Sequence, residues 1–316
     1  TIIFKPSSDT PLCAMRLVEI LNDAGIPKGV VNMVTGSGSA LGKEIVSSRD
    51  VGCVSFTGSR ETGLWILQNA GIKRVGLELG GKNAIIVMDD ADMGLAVDGI
   101  IWGAFGTTGQ RCTAASRVIV HRKVRRKLVA VLVVRAKNLR VGSGLDTKSD
   151  MGPLVNKSAL EKVQRYIDIG KKEGASLMCG GRPVSGKGYF YQPTIFMADI
   201  DMKIAQDEIF GPVLSVMEAE SLDDAIEKAN SVDYGLSSSI YTKSITNAMK
   251  AAELLEAGIT YVNSSTTGSE VHLPFGGVKD TGNGTREGGI LGIDEFSEFK
   301  TVYIDYSGRL QKAQFD

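Results

Sequence analysis

The chain has 316 residues, enough to bury a large core and to hold two domains. Its 36 basic and 36 acidic side chains cancel, which excludes the basic footprint of a nucleic-acid or anionic-membrane binder. No apolar run approaches the ~20 residues that a spanning helix needs, and 4 cysteines without a CxxC pair make no disulfide framework, so a reducing cytoplasm is expected.

The first residues, Thr1-Ile2-Ile3-Phe4, read as the middle of a buried strand. Asp9-Thr10-Pro11 then starts a helix, a capping residue followed by Pro where its missing N–H costs nothing. Leu12, Met15, Leu17, Val18, Ile20 and Leu21 recur with helical spacing up to Gly25. A strand over residues 30–34 ends in Gly36-Ser37-Gly38, with Gly42 beyond it and a helix through Ile45 and Val46. A third strand, 51–56, closes on Thr57-Gly58-Ser59 and a helix through Ile66 and Leu67. Strands alternating with helices, each turning at a glycine, predict an α/β fold with a parallel, doubly wound sheet.

The alternation continues with a strand over 84–88, a helix over 91–105, a strand over 117–120 and a basic amphipathic helix over 124–139 that reads as a solvated face. Helices follow at 160–172, 222–230 and 245–255. Between them come strands around Ile195 and over 213–217, 238–241 and 259–262. Near the end, residues 301–306 alternate with a β-branched bias and read as a last strand.

Three stretches carry chemistry. Gly106-Thr107-Thr108-Gly109-Gln110-Arg111-Cys112-Thr113 sets one thiol among glycines and small hydroxyls with a cation beside it, a setting that favours the thiolate. Leu77-Glu78-Leu79-Gly80-Gly81 is a carboxylate in an apolar, glycine-flanked turn, where desolvation raises its pKa toward that of a useful base. Glu208-Ile209-Phe210-Gly211-Pro212 follows downstream. Cys13, Cys53 and Cys179 sit in helix, strand and glycine-pair contexts and read as packing residues. His121 and His272 are the only histidines; neither suggests a Cys–His dyad, and no metal site is expected. Gly36-Ser37-Gly38 with Gly42 is a loose dinucleotide pattern with one residue too many, while Gly58-Ser59 opens a helix whose N–H groups suit a pyrophosphate. A thiol, a carboxylate and dinucleotide-like turns point to covalent chemistry on a carbonyl followed by hydride transfer.

These stretches, with Phe4-Lys5-Pro6 ahead of them and Pro274-Phe275-Gly276-Gly277 behind, resemble the NAD(P)-dependent aldehyde dehydrogenase family in order and spacing, over nearly the whole chain. The resemblance implies an aldehyde dehydrogenase-like α/β architecture. A Rossmann-like cofactor domain over 1–79 would join an α/β catalytic domain over 80–290, and a segment over 291–316 would hold an oligomerisation strand. It implies Cys112 as nucleophile, its own backbone N–H as an oxyanion donor, and Glu78 as the base that activates water. Lys5, Ser8, Gly38, Gly58, Ser59, Gly63, Glu208 and Phe210 would hold the cofactor, and Arg111 and Phe275 would line the aldehyde tunnel. Ser8 stands where NAD-preferring members place Glu, and beside Lys5 it would not repel a 2′-phosphate, so the cofactor is NAD or NADP, with NADP tolerated.

The stretch from Leu273 to Gly284 is most similar to members acting on carboxylated semialdehydes, such as 2-oxoglutarate semialdehyde. A homo-oligomer, dimer or tetramer, is expected, with a small-molecule aldehyde as substrate and no nucleic-acid or membrane partner. Acyl transfer to CoA or phosphate is the same-fold alternative, opposed by Glu78; a non-catalytic subunit retaining the fold is the other. Family members are considerably longer, and the chain reads as a fragment lacking their N-terminal part, which leads to an expectation of no turnover and poor solubility for these 316 residues alone.

Overall fold

The computed structural model describes residues 1–310. In the first part of the chain, β1 (Ile2–Phe4) and β2 (Val31–Met33) pair in parallel, with α1 (Pro11–Asp23) between them in sequence. A π-helical turn, Gly38–Gly42, runs into α2 (Lys43–Ser47). Then β3 (Cys53–Thr57) and β4 (Arg74–Glu78) pair in parallel across α3 (Arg60–Asn69). In this part of the chain the expected parallel alternation of strands and helices is present as two separate parallel pairs among the described residues. Thr10 precedes α1 without a side-chain cap; Pro11 at the first helical position sets the start instead. Of the helix's apolar residues only Ala14 is buried, and Leu12, Met15, Leu17 and Ile20 face outward.

The larger part begins with β5 (Asn83–Val87), α4 (Met93–Phe105), β6 (Ala115–His121), α5 (Arg122–Lys137) and α6 (Lys157–Lys172). It continues through β7 (Ser176–Cys179), β8 (Thr194–Met197), α7 (Lys203–Gln206), β9 (Val213–Ala219) and α8 (Leu222–Asn230). It ends with β10 (Tyr234–Gly235), β11 (Ser237–Tyr241), α9 (Ile245–Leu254), β12 (Ile259–Val262), β13 (Val278–Lys279) and α10 (Gly289–Glu295). Seven strands form one sheet in the order β12-β11-β5-β6-β9-β8-β7, parallel except for the β7–β8 edge pair.

The central strands are buried on both faces, as parallel sheets require. Successive side chains of β5 alternate between two cores. Ile85 and Val87 pack with Val118, Leu214 and the apolar stripes of α4 and α5, while Ala84 and Ile86 pack with Ile119, Met217 and residues of α8 and α9. A third core lies between α6 and β8 around Val163, Ile167 and Phe196. These layers bury β5 and β6 at the centre of the large sheet, and the segments leading into them carry the polar residues of interest.

Residues 301–306 form no strand in this chain and are exposed, because a strand needs a hydrogen-bonding neighbour and none of the described residues supplies one. The segment before them is anchored. One guanidinium nitrogen of Arg74 donates to the carbonyls of Asp294, Glu295 and Ser297 at 2.9, 2.6 and 2.6 Å. No helix of the described residues is long and apolar enough to cross a membrane, and these residues include no group of three His, Cys, Asp or Glu side chains able to hold a metal ion.

Candidate active site

Glu78 is the last residue of β4 rather than part of a turn, because Leu77 and Glu78 extend the parallel ladder against Phe56 and Thr57. Its backbone is held from two sides: the carbonyl accepts the Gly58 N–H at 3.0 Å, and a β-bridge joins it to Gly282. The side chain is only 3% exposed, and neither carboxyl oxygen has a hydrogen-bond partner among the described residues. A Cβ on Gly276 would lie 2.6 Å from its Oε1, so the Pro274-Phe275-Gly276-Gly277 stretch walls this carboxyl in. Burial, and next the Glu287 carboxylate, push the Glu78 carboxyl up to about 8, against the pull of Arg286. A side chain that is protonated near neutrality and carries no fixed partner is poised to exchange a proton with whatever enters beside it.

Cys112 lies in the loop that leaves α4 and enters β6. The loop turns through left-handed backbone at Thr108 (φ 59°) and Gly109 (φ 66°), and a side chain at Gly109 would collide with the Gly211 carbonyl. The loop is thereby packed against the segment that carries Glu208 and Phe210. The Cys112 thiol is half-buried, and burial pushes its pKa up; Glu78 and Glu208 push the same way, while the backbone N–H groups of Thr113 and of Cys112 itself favour the thiolate. Arg111, expected to help, does not figure among the groups that shift the thiol; it is an exposed residue lining the hollow beside Glu208 and Phe210. Glu78 and Cys112 are close enough for the charge of one to oppose that of the other.

The turn from Gly80 to Asn83 ties these pieces together. Gly81 N–H donates to the Glu208 carboxylate at 2.9 Å, and the Thr281 hydroxyl donates to the Gly80 carbonyl at 2.8 Å. The Lys82 ammonium is fully buried and donates to the Ile204 carbonyl at 2.8 Å; burial and then Arg117 push its pKa down to about 7. Arg117 is also buried and donates to the carbonyls of Lys82, Lys228 and Ala229. Asn83 reaches from the start of β5 to the carbonyls of Cys112 and Ala114. A single four-residue turn therefore connects the buried carboxyl, the thiol loop and the Glu208 segment.

The residues assigned to a cofactor fall into three groups. Lys5 and Ser8 meet at the Gly36 carbonyl, at 3.3 and 3.2 Å, and Gly38 opens the π-helical turn just beyond, where Ser37 accepts the Ala40 N–H. Ser59 caps α3 by accepting the Thr62 N–H at 3.3 Å. The neighbouring Glu61 carboxyl is held below the usual carboxylate range by its own N–H and by the Ser59 hydroxyl. Gly58 spends its N–H on Glu78 and so ties β3 to β4 instead of offering that donor to a phosphate. Gly63 is buried inside α3, where a Cβ would lie 2.6 Å from Leu79, so its part is close helix–strand packing. In the third group Glu208 is partly buried, burial raises its pKa, and Phe210 stands exposed with a left-handed backbone (φ 57°) that a bulky residue rarely adopts. The ammonium of Lys5, the Ser59 hydroxyl at the start of α3 and the Glu208 carboxylate are donor and acceptor types that suit a dinucleotide's ribose and phosphate groups.

Phe275 is half-buried and pairs with Glu287 in a two-way backbone bridge, N–H to carbonyl at 2.5 and 2.7 Å. It therefore sits on the Glu78 side of the site, while Arg111 lines the hollow with Glu208. Sequence reasoning missed Glu287, Glu295, Lys82 and Asn83. Glu295 lies buried against Gly76 with both carboxyl oxygens unpartnered, and its pKa is raised by burial and then by Glu287. The available signals were polar residues at odds with their surroundings: Lys82-Asn83 opening an apolar strand, and Arg286-Glu287 before a glycine pair.

The sequence pattern of the aldehyde dehydrogenase family matches residues 1–302. The alpha-ketoglutarate semialdehyde dehydrogenase of Haloferax volcanii is 46% identical over 314 residues, covering 97% of this chain and 65% of its own length. The betaine aldehyde dehydrogenase of Brucella anthropi is 44% identical over 311 residues, covering 96% of this chain and 62% of the relative. A solved betaine aldehyde dehydrogenase of Staphylococcus aureus, a double mutant in complex with NAD+, superposes with a TM-score of 0.95 at 35% identity, over 100% of this chain and 65% of that one. The chain thus spans under two thirds of the length of these relatives. On fold, motif order and sequence, the chain belongs to the aldehyde dehydrogenase family.

Proposed function

We propose that the protein oxidises an aldehyde to the carboxylic acid with NAD+ or NADP+, with Cys112 as nucleophile and Glu78 as general base. The observation that carries this is the buried, unpartnered Glu78 carboxyl within electrostatic reach of the Cys112 thiol. Lys5, Ser8, Ser59, Glu208 and Phe210 would hold the cofactor, with Gly38, Gly58 and Gly63 shaping the backbone, and when bound it would supply the acceptor for the hydride of the Cys112 thiohemiacetal. The chain's own residues do the rest. The Cys112 sulfur bonds to the aldehyde carbon, with its own N–H facing the developing oxyanion. Glu78 then takes a proton from the water that attacks the thioester, which releases the acid and restores the thiol.

An acidic semialdehyde is the substrate class best matched to the site, since Arg111 presents an exposed guanidinium beside the thiol loop. The printed activities of the relatives include both alpha-ketoglutarate semialdehyde and betaine aldehyde, so identity alone does not choose between them. Phe275 would form the wall opposite. The domain division at 79/80 and 290/291, and a homo-oligomer built through residues 301–306, belong to the same reading, supported by the exposed, unpaired state of that segment.

In the whole protein, Cys112→Ser is expected to abolish aldehyde oxidation while leaving NAD(P)+ affinity within about twofold, because the thiol contributes chemistry and not binding. Retention of oxidation at a tenth or more of the parent rate would remove Cys112 as the nucleophile.

A further inference from the structure

Asn83 has a part in this constellation that its sequence context did not suggest. Its side chain is 3% exposed. The amide nitrogen donates to the Cys112 carbonyl at 2.7 Å and to the Ala114 carbonyl at 2.9 Å, and the amide oxygen accepts the Ser237 N–H at 3.0 Å. Two acceptors and one donor leave a single orientation of the amide that satisfies all three. The position is built into the sheet, because the β5–β6 register steps from Asn83↔Ala115 to Ala84↔Arg117 and leaves Ser116 as an extra residue on β6. A bulge of this kind re-aims the side chains beside it. The Cys112 carbonyl is also seated tightly from below, since a Cβ on Gly81 would lie 2.5 Å from it.

A planar trans peptide puts its carbonyl and N–H on opposite sides. With the Cys112 carbonyl fixed toward Asn83, the N–H of the same peptide, that of Thr113, is turned away from Asn83 and acts on the Cys112 sulfur. The groups facing that sulfur otherwise oppose its ionisation: Glu78 from the end of β4 and Glu208 from the segment before β9, in a half-buried setting. What favours the thiolate is backbone alone, the N–H groups of Thr113 and Cys112. The direction of one peptide plane therefore matters to the reactivity of the thiol.

We propose that Asn83 is a positioning residue for the nucleophile, which by holding the Cys112 carbonyl aims the Thr113 N–H at the sulfur and keeps the thiolate available. The inference rests on the reading of Cys112 as nucleophile given above. It is tested in the whole protein by the rate of Cys112 alkylation by iodoacetamide against pH, followed by peptide mass mapping. Wild type, Asn83→Ala and Asn83→Ser are compared, each checked by thermal melting and NAD(P)+ binding. Loss of one charge-assisted hydrogen bond should raise the midpoint for Cys112 by about one pH unit in Asn83→Ala, about tenfold less thiolate near neutrality, with the plateau rate at high pH nearly unchanged.

Asn83→Ser, which keeps one hydroxyl donor, should fall between the two, and it carries the test if the alanine variant does not fold. A folded variant whose melting temperature drops while the midpoint stays at the wild-type value would overturn the inference and leave the proposed function standing. A wild-type Cys112 that does not alkylate anywhere up to about pH 10 would instead overturn the nucleophile assignment itself.

Discussion

Replacing Glu78 by Gln keeps the shape of the side chain and removes its proton. In the folded chain this carboxyl is raised from an ordinary 4.5 to about 8, first by burial and then by Glu287. The folded state therefore holds a proton more tightly than the unfolded chain, and the stability this contributes is complete below pH 4.5 and lost as pH rises through about 8. At 1.36 kcal/mol per unit the wild type forfeits ~3–5 kcal/mol across that window. The glutamine variant has nothing to ionise there. Its stability relative to wild type should accordingly climb with pH, most steeply between about 5 and 8, when thermal or urea melts are compared across that range. Kinetics offer a second view. A base must be unprotonated to work, so wild-type turnover should rise toward a midpoint near 8, whereas Glu78→Gln should give a burst of reduced cofactor followed by slow turnover with that rise abolished. A stability difference that stays flat with pH would refute the buried-carboxyl reasoning, and an unchanged steady-state rate would take Glu78 out of the mechanism.

Two further outcomes concern selectivity. Ser8 lies beside Lys5 at the Gly36 carbonyl, so Ser8→Glu sets a carboxylate where a 2′-phosphate would lie, and it should weaken NADP+ by about tenfold or more relative to NAD+ in a binding titration; an unchanged ratio counts against this placement. Arg111→Leu should raise KM for an acidic semialdehyde by the worth of one charged hydrogen bond, ~1.5–3 kcal/mol or roughly tenfold and more, and hardly affect a neutral aldehyde of equal length. Equal effects on both substrates would place Arg111 outside the substrate site.

Much of the fold could be read along the chain because its signals are local. Glycine-closed strands and helical stripes located β3, α3, β5, α4, β6, α6, α8 and α9 to within a few residues. What escaped depends on contacts between distant segments. β4 holds only five residues, with a charge at each end, and it becomes a strand through pairing with β3. Glu78 consequently looked like part of a turn. Residues 301–306 carry a strand's alternation, yet alternation supplies no hydrogen-bonding neighbour. At the site, Cys112 and Glu78 stood out because a thiol among glycines and a carboxylate between leucines are locally anomalous. Glu287 is 209 positions from Glu78 (287 − 78), and only folding brings its charge to bear. Arg111 adjoins Cys112 in sequence, yet the groups that favour the thiolate are the backbone N–H groups of Thr113 and Cys112, which adjacency of a charged side chain did not reveal.

The two central groups would also place opposite demands on protons. On the proposed mechanism the first step needs a Cys112 thiolate, while the second needs a Glu78 carboxylate. The Glu78 carboxylate opposes ionisation of the Cys112 thiol, so a site holding both charges at once would be costly. With Glu78 raised to about 8, the carboxyl is mostly protonated near neutrality and the repulsion on the sulfur is largely absent when the thiol must react. Once the sulfur is acylated it carries no charge, and Glu78 is still held near 8 by burial and then by Glu287. The ionised fraction of Glu78, which grows as pH rises toward 8, would then draw the proton from water. Burial of an unpartnered carboxyl costs stability at high pH, yet on the proposed mechanism the same burial would keep the Glu78 charge away from the sulfur during the nucleophilic step that precedes hydrolysis.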